Sequence, residues 1–122
     1  MTKTHKAMIE NTNTRQQKIA KQIQKDIAEI IQREYSAALR GILVTVTTVR
    51  VSVDLAYAKI YVSVFPFDKA EQTLAFLSEQ NRAIRGILGN RMRNQVKSIP
   101  ELQFFIDDSL EYIENIDNLL SK

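Results

Sequence analysis

The stretch that decides the fold is residues 42–66, which read ILVTVTTVRVSVDLAYAKIYVSVFP. Apolar and polar side chains alternate along it and β-branched residues dominate, as is typical of half-buried β-strands. Asp54-Leu55 is the best candidate for a turn, so the sequence predicts two antiparallel strands joined as a hairpin. The parity of the apolar positions shifts between Val46 and Val49, which indicates a β-bulge near Thr47–Thr48.

A long amphipathic helix precedes the hairpin. Thr14 followed by Gln17 has the form of a capping box, and the helical spacing beyond it predicts a helix over residues 15–36. Its apolar positions are Ile19, Ile23, Ile27, Ile30 and Ile31. Steps of about 100° per residue place three lysines on the opposite side of this helix. They are Lys18, Lys21 and Lys25.

Further helices and a third strand follow the hairpin. The pattern predicts one helix from Asp68 to about Glu79, another over 82–96, and, after Pro100, a strand at 101–107. A last amphipathic helix, rich in acidic residues, begins at Asp108. The order α-β-β-α-α-β-α predicts a single α+β domain over 14–122, preceded by a flexible tail of residues 1–13. We expect the helices to cover one sheet face and to bury Ile23, Ile27, Val62, Leu77, Ile84, Leu88 and Phe104.

Composition excludes several classes of protein. The chain has 122 residues, of which 44% are hydrophobic and 25% charged, as in an ordinary globular domain. It has no cysteine, which excludes disulfide scaffolds, iron–sulfur clusters and thiol catalysis. No apolar run approaches the roughly 20 residues that a membrane helix needs. We expect a cytoplasmic protein that has no membrane partner.

The chemistry of the side chains gives no support to an enzyme. The only histidine, His5, lies in the predicted tail, so neither a histidine-based triad nor a two-histidine metal site can form. The phosphate-binding motifs GxxxxGK[ST] and GxGxxG are both absent. We therefore expect no catalysis, no cofactor, no metal and no small-molecule substrate.

Two basic segments suggest a polyanionic partner. Residues 1–25 hold six lysines and arginines against one acid, and residues 79–97 hold five against Glu79, whereas residues 98–122 are strongly acidic. If the fold brings the basic segments together, they form a surface suited to nucleic acid. The alternative is that they are ordinary solvated helix faces.

The third predicted helix carries the sharper signal. Gly86-Ile87-Leu88-Gly89 has the G-x-x-G spacing of a KH-domain loop, but its apolar middle continues a core-facing stripe, which favours an uninterrupted helix. Four basic residues share the opposite sector with both glycines. They are Arg82, Arg85, Arg93 and Lys97. We predict that they contact the phosphates of a nucleic acid, with Lys18, Lys21 and Lys25 extending the surface, whereas Arg91 points toward the core side.

The second strand offers a separate candidate. Tyr57, Lys59 and Tyr61 share the strand face opposite its apolar positions. Tyrosines beside a lysine can stack on nucleobases. The alternative is that these side chains merely cover the sheet or pack against the last helix.

Several separated motifs resemble the bacterial ribosome-binding factor A family. They are the helix segment Lys21–Ile31, the strand Val44–Thr47, the hairpin segment Val51–Val64, the closing Pro100–Leu102 with Phe104, and the segments Asp108–Glu111 and Ile116–Leu120. They occur in the family's order and span roughly residues 15–120. This resemblance implies a type II KH-like fold, α-β-β-α-kink-α-β, here with a C-terminal helix.

The resemblance also implies a function. Members of the family are non-enzymatic factors that bind the immature small ribosomal subunit through its ribosomal RNA, act late in its maturation, and are linked to growth in the cold. They replace the G-x-x-G loop with an Ala-x-Gly kink between helices. The corresponding residues here are Gln80, Asn81 and Arg82, which keep neither the alanine nor the glycine. We expect a monomer.

Two alternatives stay open at this point. One is a KH-like RNA-binding module that acts outside ribosome assembly. The other is a protein-interaction domain that uses its acidic C-terminal helix.

Overall fold

The hairpin predicted at residues 42–66 supplies two of the three strands of the sheet. In the computed structural model, which describes residues 14–107, strand β1 spans Leu43–Val51 and pairs antiparallel with β2, Tyr57–Phe65. Strand β3, Glu101–Ile106, pairs with β2 in parallel, so that the sheet order is β1-β2-β3. Valines 44, 46, 49 and 51 lie opposite the apolar positions of β2, which gives the sheet one continuous apolar face.

The predicted bulge is present and is held by side chains from outside the hairpin. The β1–β2 register shifts between Val46 and Thr48. The Gln24 side-chain amide donates to the carbonyls of Val46 and Thr47, at 3.1 and 3.3 Å. The Thr47 hydroxyl donates to the Asp107 carboxylate at 2.6 Å. The backbone groups that the bulge takes out of the ladder therefore find other partners.

The predicted turn at Asp54-Leu55 is also present. Leu55 has a φ of +60°, which places it in the left-handed region. The Asp54 carboxylate accepts hydrogen bonds from the Ser52 hydroxyl at 2.7 Å and the Ala56 amide at 3.1 Å. These bonds lower the pKa of Asp54, that from Ser52 most strongly. The turn is fixed by side-chain hydrogen bonds in the absence of a glycine.

Three helices pack on the apolar face of the sheet. Helix α1 spans Thr14–Glu34, α2 spans Ala70–Glu79 after a 3-10 turn at Phe67–Lys69, and α3 spans Asn81–Met92. The seven residues predicted to be buried are all buried, and they belong to one apolar cluster shared by the helices and the sheet. The predicted tail 1–13 and the last helix, from Asp108, lie outside the described residues.

Candidate nucleic-acid interface

Helix α3 presents an apolar face to the core and a basic face to the outside, as predicted. Ile84, Leu88 and Met92 are buried. Arg82, Arg85 and Arg93 are exposed; we call these three residues the arginine ridge. The helix runs uninterrupted through both glycines, so that the G-x-x-G spacing does not form a loop.

The two glycines differ in what surrounds them. A Cβ atom at Gly89 would lie 3.4 Å from Ile99 Cγ1, so Gly89 packs against the segment that leads to β3. A Cβ atom at Gly86 would meet nothing within 4 Å. Gly86, which is exposed between the arginines, is therefore where a phosphate can approach the helix backbone closely.

The prediction that this helix continues to residue 96 is wrong, and Lys97 does not lie on it. Helix α3 ends at Met92, whose carbonyl accepts hydrogen bonds from the amides of Gln95 and Val96. Val96 is buried, so the chain turns back to the core before it reaches Lys97. Lys97 is exposed in the connection to β3, and helical spacing no longer relates it to the arginine ridge.

Arg85 has a structural role that its sequence position did not reveal. Its Nε donates to the Pro100 carbonyl at 3.0 Å, and one of its terminal nitrogens donates to the Ile99 carbonyl. A guanidinium has five N–H donors, so three remain for another acceptor. Arg85 therefore joins α3 to the start of β3 and still offers charge to the surface.

The predicted kink lies at Gln80, the residue between α2 and α3. Its φ and ψ of −87° and 4° fall in the bridge region, which needs neither glycine nor a left-handed residue. The side-chain carbonyl oxygen of Gln80 accepts a hydrogen bond from the Tyr35 hydroxyl at 3.3 Å. Asn81 does not make the bend; its side-chain amide donates to the Leu102 carbonyl at 2.8 Å and holds α3 against β3. Arg82, two residues after Gln80, is the first exposed residue of α3.

The lysines of α1 line a groove beside β1, the edge strand of the sheet farthest from β3. Lys18, Lys21 and Lys25 are exposed, and the isoleucines opposite them are buried. Arg82 and Arg85 instead line a cleft with Glu101 and Leu102 of β3, at the other edge of the sheet. The lysines and these two arginines thus lie beside different edges of the sheet, and a single surface formed by both basic segments stays a prediction.

Arg91 joins these two helices. Its guanidinium lies 3.1 Å from Asp26 Oδ1 and 2.7 Å from Glu29 Oε1, both on α1. The Glu29 pKa is lowered, chiefly by the hydrogen bond from Arg91. Arg91 points to the core side, as predicted, and is used in an ion pair between helices.

The opposite side of the sheet carries the predicted aromatic residues. Tyr57 and Lys59 are exposed and Tyr61 is half-buried, all on the face that α1, α2 and α3 leave uncovered within residues 14–107. Two residues that the sequence analysis did not single out join them. Phe105 stacks on Tyr61, with ring centroids 5.3 Å apart, and Arg50 lies directly opposite Lys59. Arg50 and Phe105 each alternate with buried or half-buried residues of their strand, so the sequence pattern could have placed both on this face.

Residues 14–107 contain neither a membrane-spanning helix nor a metal-binding cluster. No helix there has the length and apolar character needed to cross a membrane. The same residues contain no cluster of three or more side chains suited to bind a metal ion.

The sequence is similar to those of known proteins along most of its length. The family model described as ribosome-binding factor A matches residues 15–120. The ribosome-binding factor A of Christiangramia forsetii is 43% identical over 110 residues, covering 89% of this chain and 83% of that one. The factor of Flavobacterium johnsoniae is 43% identical over 108 residues, covering 88% and 83% of the two chains.

Solved structures show the same similarity. The crystal structure of ribosome-binding factor A from Thermus thermophilus matches with a TM-score of 0.64 and 28% identity, covering 75% of this chain and 94% of that one. A homology model of the Thermus thermophilus factor, fitted into the cryo-EM map of its complex with the 30S subunit, matches with a TM-score of 0.58 and 30% identity, covering 72% and 90%. These neighbours confirm the KH-like fold. With its sequence motifs in order and its fold in agreement, this chain belongs to the ribosome-binding factor A family.

Proposed function

We propose that this protein binds the immature small ribosomal subunit through its ribosomal RNA and assists the late maturation and processing of that RNA. The observation that carries the proposal is the arginine ridge: Arg82 and Arg85 are exposed on the side of α3 opposite the buried Ile84 and Leu88, and Arg93 is exposed at the C-terminal end of the helix. Membership of the family and the complex of the Thermus thermophilus factor with the 30S subunit support it.

The ridge suits the backbone of a folded RNA. Arg82 and Arg93 have no carboxylate within salt-bridge distance among residues 14–107, so their guanidinium groups are available to phosphates. Phosphate contacts fix position and affinity without reading sequence, and the shape of the RNA then supplies the specificity. A cleft of about 740 Å³ lies between α3 and β3, lined by Arg82, Arg85 and Gly86 on one side and by the carboxylates of Glu79 and Glu101 as well.

The proposed role is one of binding, without a chemical step. A factor of this kind acts by stabilising one conformation of the RNA over others. We propose that it works as a monomer in the cytoplasm, where small subunits are assembled. A role in the cold fits this mechanism, because misfolded RNA helices rearrange more slowly as the temperature falls.

Co-sedimentation with immature small subunits over a range of salt concentrations tests the proposal. Arg82→Gln combined with Arg93→Gln removes two phosphate contacts, so that the slope of log affinity against log salt should flatten by between about one and two units. Arg85 is left intact because its hydrogen bonds to Ile99 and Pro100 make its substitution ambiguous.

Arg40→Gln provides a matched control. Arg40 is also exposed, but it lies beside the start of β1 and away from α3. Its substitution should change the affinity far less than either Arg82→Gln or Arg93→Gln. Equal effects of all three substitutions, or an unchanged salt slope in the double variant, would show that the arginine ridge does not face the RNA.

A further inference from the structure

We infer that the sheet face opposite helices α1, α2 and α3 is a second RNA-binding surface, which stacks the bases of an unpaired segment. The open sheet face carries Arg50, Tyr57, Lys59, Tyr61 and Phe105, and on β3 Glu101 lies opposite Tyr57 and Gln103 opposite Lys59. It lies on the opposite side of the molecule from the arginine ridge. This inference adds a second surface to the proposed function and rests on that function only for the kind of partner, which is RNA.

Aromatic rings form the centre of this surface. Tyr57 is 52% exposed and Phe105 is 36% exposed, both large values for aromatic side chains in a domain with an ample core. Phe105 and Tyr61 stack on each other with an interplanar angle of 26°. A stacked pair that projects from a sheet exposes ring surface on which a nucleobase can continue the stack.

Two cations are held together beside these rings. The register of the hairpin pairs Arg50 directly with Lys59, and like charges in that position destabilise a sheet. Neither side chain has a carboxylate within salt-bridge distance among the described residues. A phosphate between the two cations would convert this repulsion into attraction.

The cations and Tyr57 also enclose a depression. It has a volume of about 260 Å³ and is lined by Arg50, Ser52, Tyr57 and Lys59 along with Val51. Liquid water occupies about 30 Å³ per molecule, so the depression has room for a phosphate group or a base. Lys59 Nζ lies 6.0 Å from the centre of the Phe105 ring, which places the charge directly beside the stacking surface.

These features together favour a single-stranded RNA over other occupants. A duplex hides its base faces in its own stack, so it offers the rings nothing to stack on. An acidic peptide would satisfy the cations but would leave the rings exposed. A flexible strand supplies both a phosphate and a base at each nucleotide, matching the alternation of cations and rings.

The test is the binding of a fluorescently labelled oligoadenylate of about eight nucleotides to the full chain, followed by anisotropy. Tyr57→Leu combined with Phe105→Leu keeps the surface apolar but removes two ring faces. We expect this double variant to bind about ten-fold more weakly or worse. Arg50→Gln with Lys59→Gln should weaken binding as well and flatten the salt slope by about one unit.

Two controls keep the result specific. Val53→Ser alters an apolar side chain that is 71% exposed at the turn, outside the open sheet face, and should leave the affinity unchanged. A double-stranded RNA in excess should fail to displace the labelled oligonucleotide. Because Tyr57 is so exposed, Tyr57→Leu alone serves as the stacking variant if the double variant does not fold, and it should still lower the affinity several-fold.

The outcomes separate this inference from the proposed function. Unchanged oligonucleotide affinity in the stacking variants, or its loss in the Arg82→Gln and Arg93→Gln variant alone, would overturn the inference. If the chain instead fails to co-sediment with small subunits yet binds the oligonucleotide through Tyr57 and Phe105, the proposed function is wrong. The inference that the open sheet face binds single-stranded RNA is then still supported.

Discussion

At the scale of single residues, Leu55 is the clearest case of a side chain in an unfavourable backbone conformation. It is the one non-glycine residue with positive φ among those the structure describes, and a leucine there costs about 1 kcal/mol relative to a residue that tolerates the left-handed region. Leu55→Asn should therefore raise the free energy of unfolding by about 1 kcal/mol, as measured by urea denaturation. Val53→Asn, in the same turn at negative φ, should give no such gain; an equal gain in both variants would show that the backbone of Leu55 is not the cause.

Thr73 is a second residue whose chemistry does not match its surroundings. It is 1% exposed, and its hydroxyl has no hydrogen-bond partner in the structure over residues 14–107. Burying an unpaired hydroxyl is unfavourable, and valine has nearly the same shape. We expect Thr73→Val to stabilise the protein by about 1 kcal/mol in urea denaturation. The same substitution at an exposed position, Thr45→Val, should not stabilise the protein. A lower stability of Thr73→Val would indicate that the Thr73 hydroxyl does have a hydrogen-bond partner.

At the scale of elements, the ion pair of Arg91 determines how α1 and α3 hold together as the pH changes. The Glu29 pKa is lower in the folded protein than in the unfolded chain, so its contribution to stability is present above about pH 4.3 and is lost as the pH falls through the folded pKa. Between about pH 5 and 3, Glu29→Gln should lose less stability than the wild type. Thermal melts over this range measure the difference; parallel curves for the two proteins would contradict it.

Arg91→Gln should be the more damaging change at neutral pH. It removes the partner of Asp26 as well as that of Glu29, and Asp26 is 6% exposed. A buried carboxylate without its cation is strongly unfavourable, although Gln22 still donates to Asp26 at 3.0 Å. The melting temperature at pH 7 should therefore fall further for Arg91→Gln than for Glu29→Gln; the reverse order would place the main stabilisation at Glu29.

Elements whose signal is local were predictable from the sequence, and contacts that depend on tertiary packing were not. Strand alternation gave the hairpin and its bulge, since one apolar face fixes the register. The end of α3 was missed because residues 93–96 are compatible with a helix, and Arg85 joins α3 to the carbonyls of Ile99 and Pro100 only once the chain has folded. The pairing of Arg91 with Asp26, 65 positions away, is likewise invisible in either helix alone.

The residues of the candidate sites also divide into those that a local sequence pattern could place and those that it could not. Helical spacing correctly placed Arg82 on the outer side of α3, because that side is set by the buried residues of the same helix. The meeting of Arg50 with Lys59 depends instead on where the turn lies, since the register shift at the bulge comes only beyond this pair. Sequence patterns can give the face of a side chain, whereas its neighbour across the sheet needs the register.

At the scale of the whole molecule, the arginine ridge and the open sheet face lie on opposite sides of one core. Helices α1 and α3 cover the apolar face of the sheet, and the rings of Tyr57 and Phe105 project from the other face. A protein with two such surfaces can hold two separate segments of RNA at once, whereas a single groove holds one. In an immature subunit this would keep an unpaired strand close to a folded region.

This arrangement predicts that the two surfaces contribute independently to binding of the small subunit. Substitutions that share no contacts usually add in free energy to within about 0.5 kcal/mol. Combining Arg82→Gln and Arg93→Gln with Tyr57→Leu and Phe105→Leu should therefore weaken co-sedimentation by the product of the two separate factors, measured at one salt concentration. A combined variant no weaker than the worse of its parents would show that both sets of residues act on a single RNA contact. Melting temperatures of the four proteins serve as the control, because additive binding losses are informative only when every variant is folded at the temperature of the experiment.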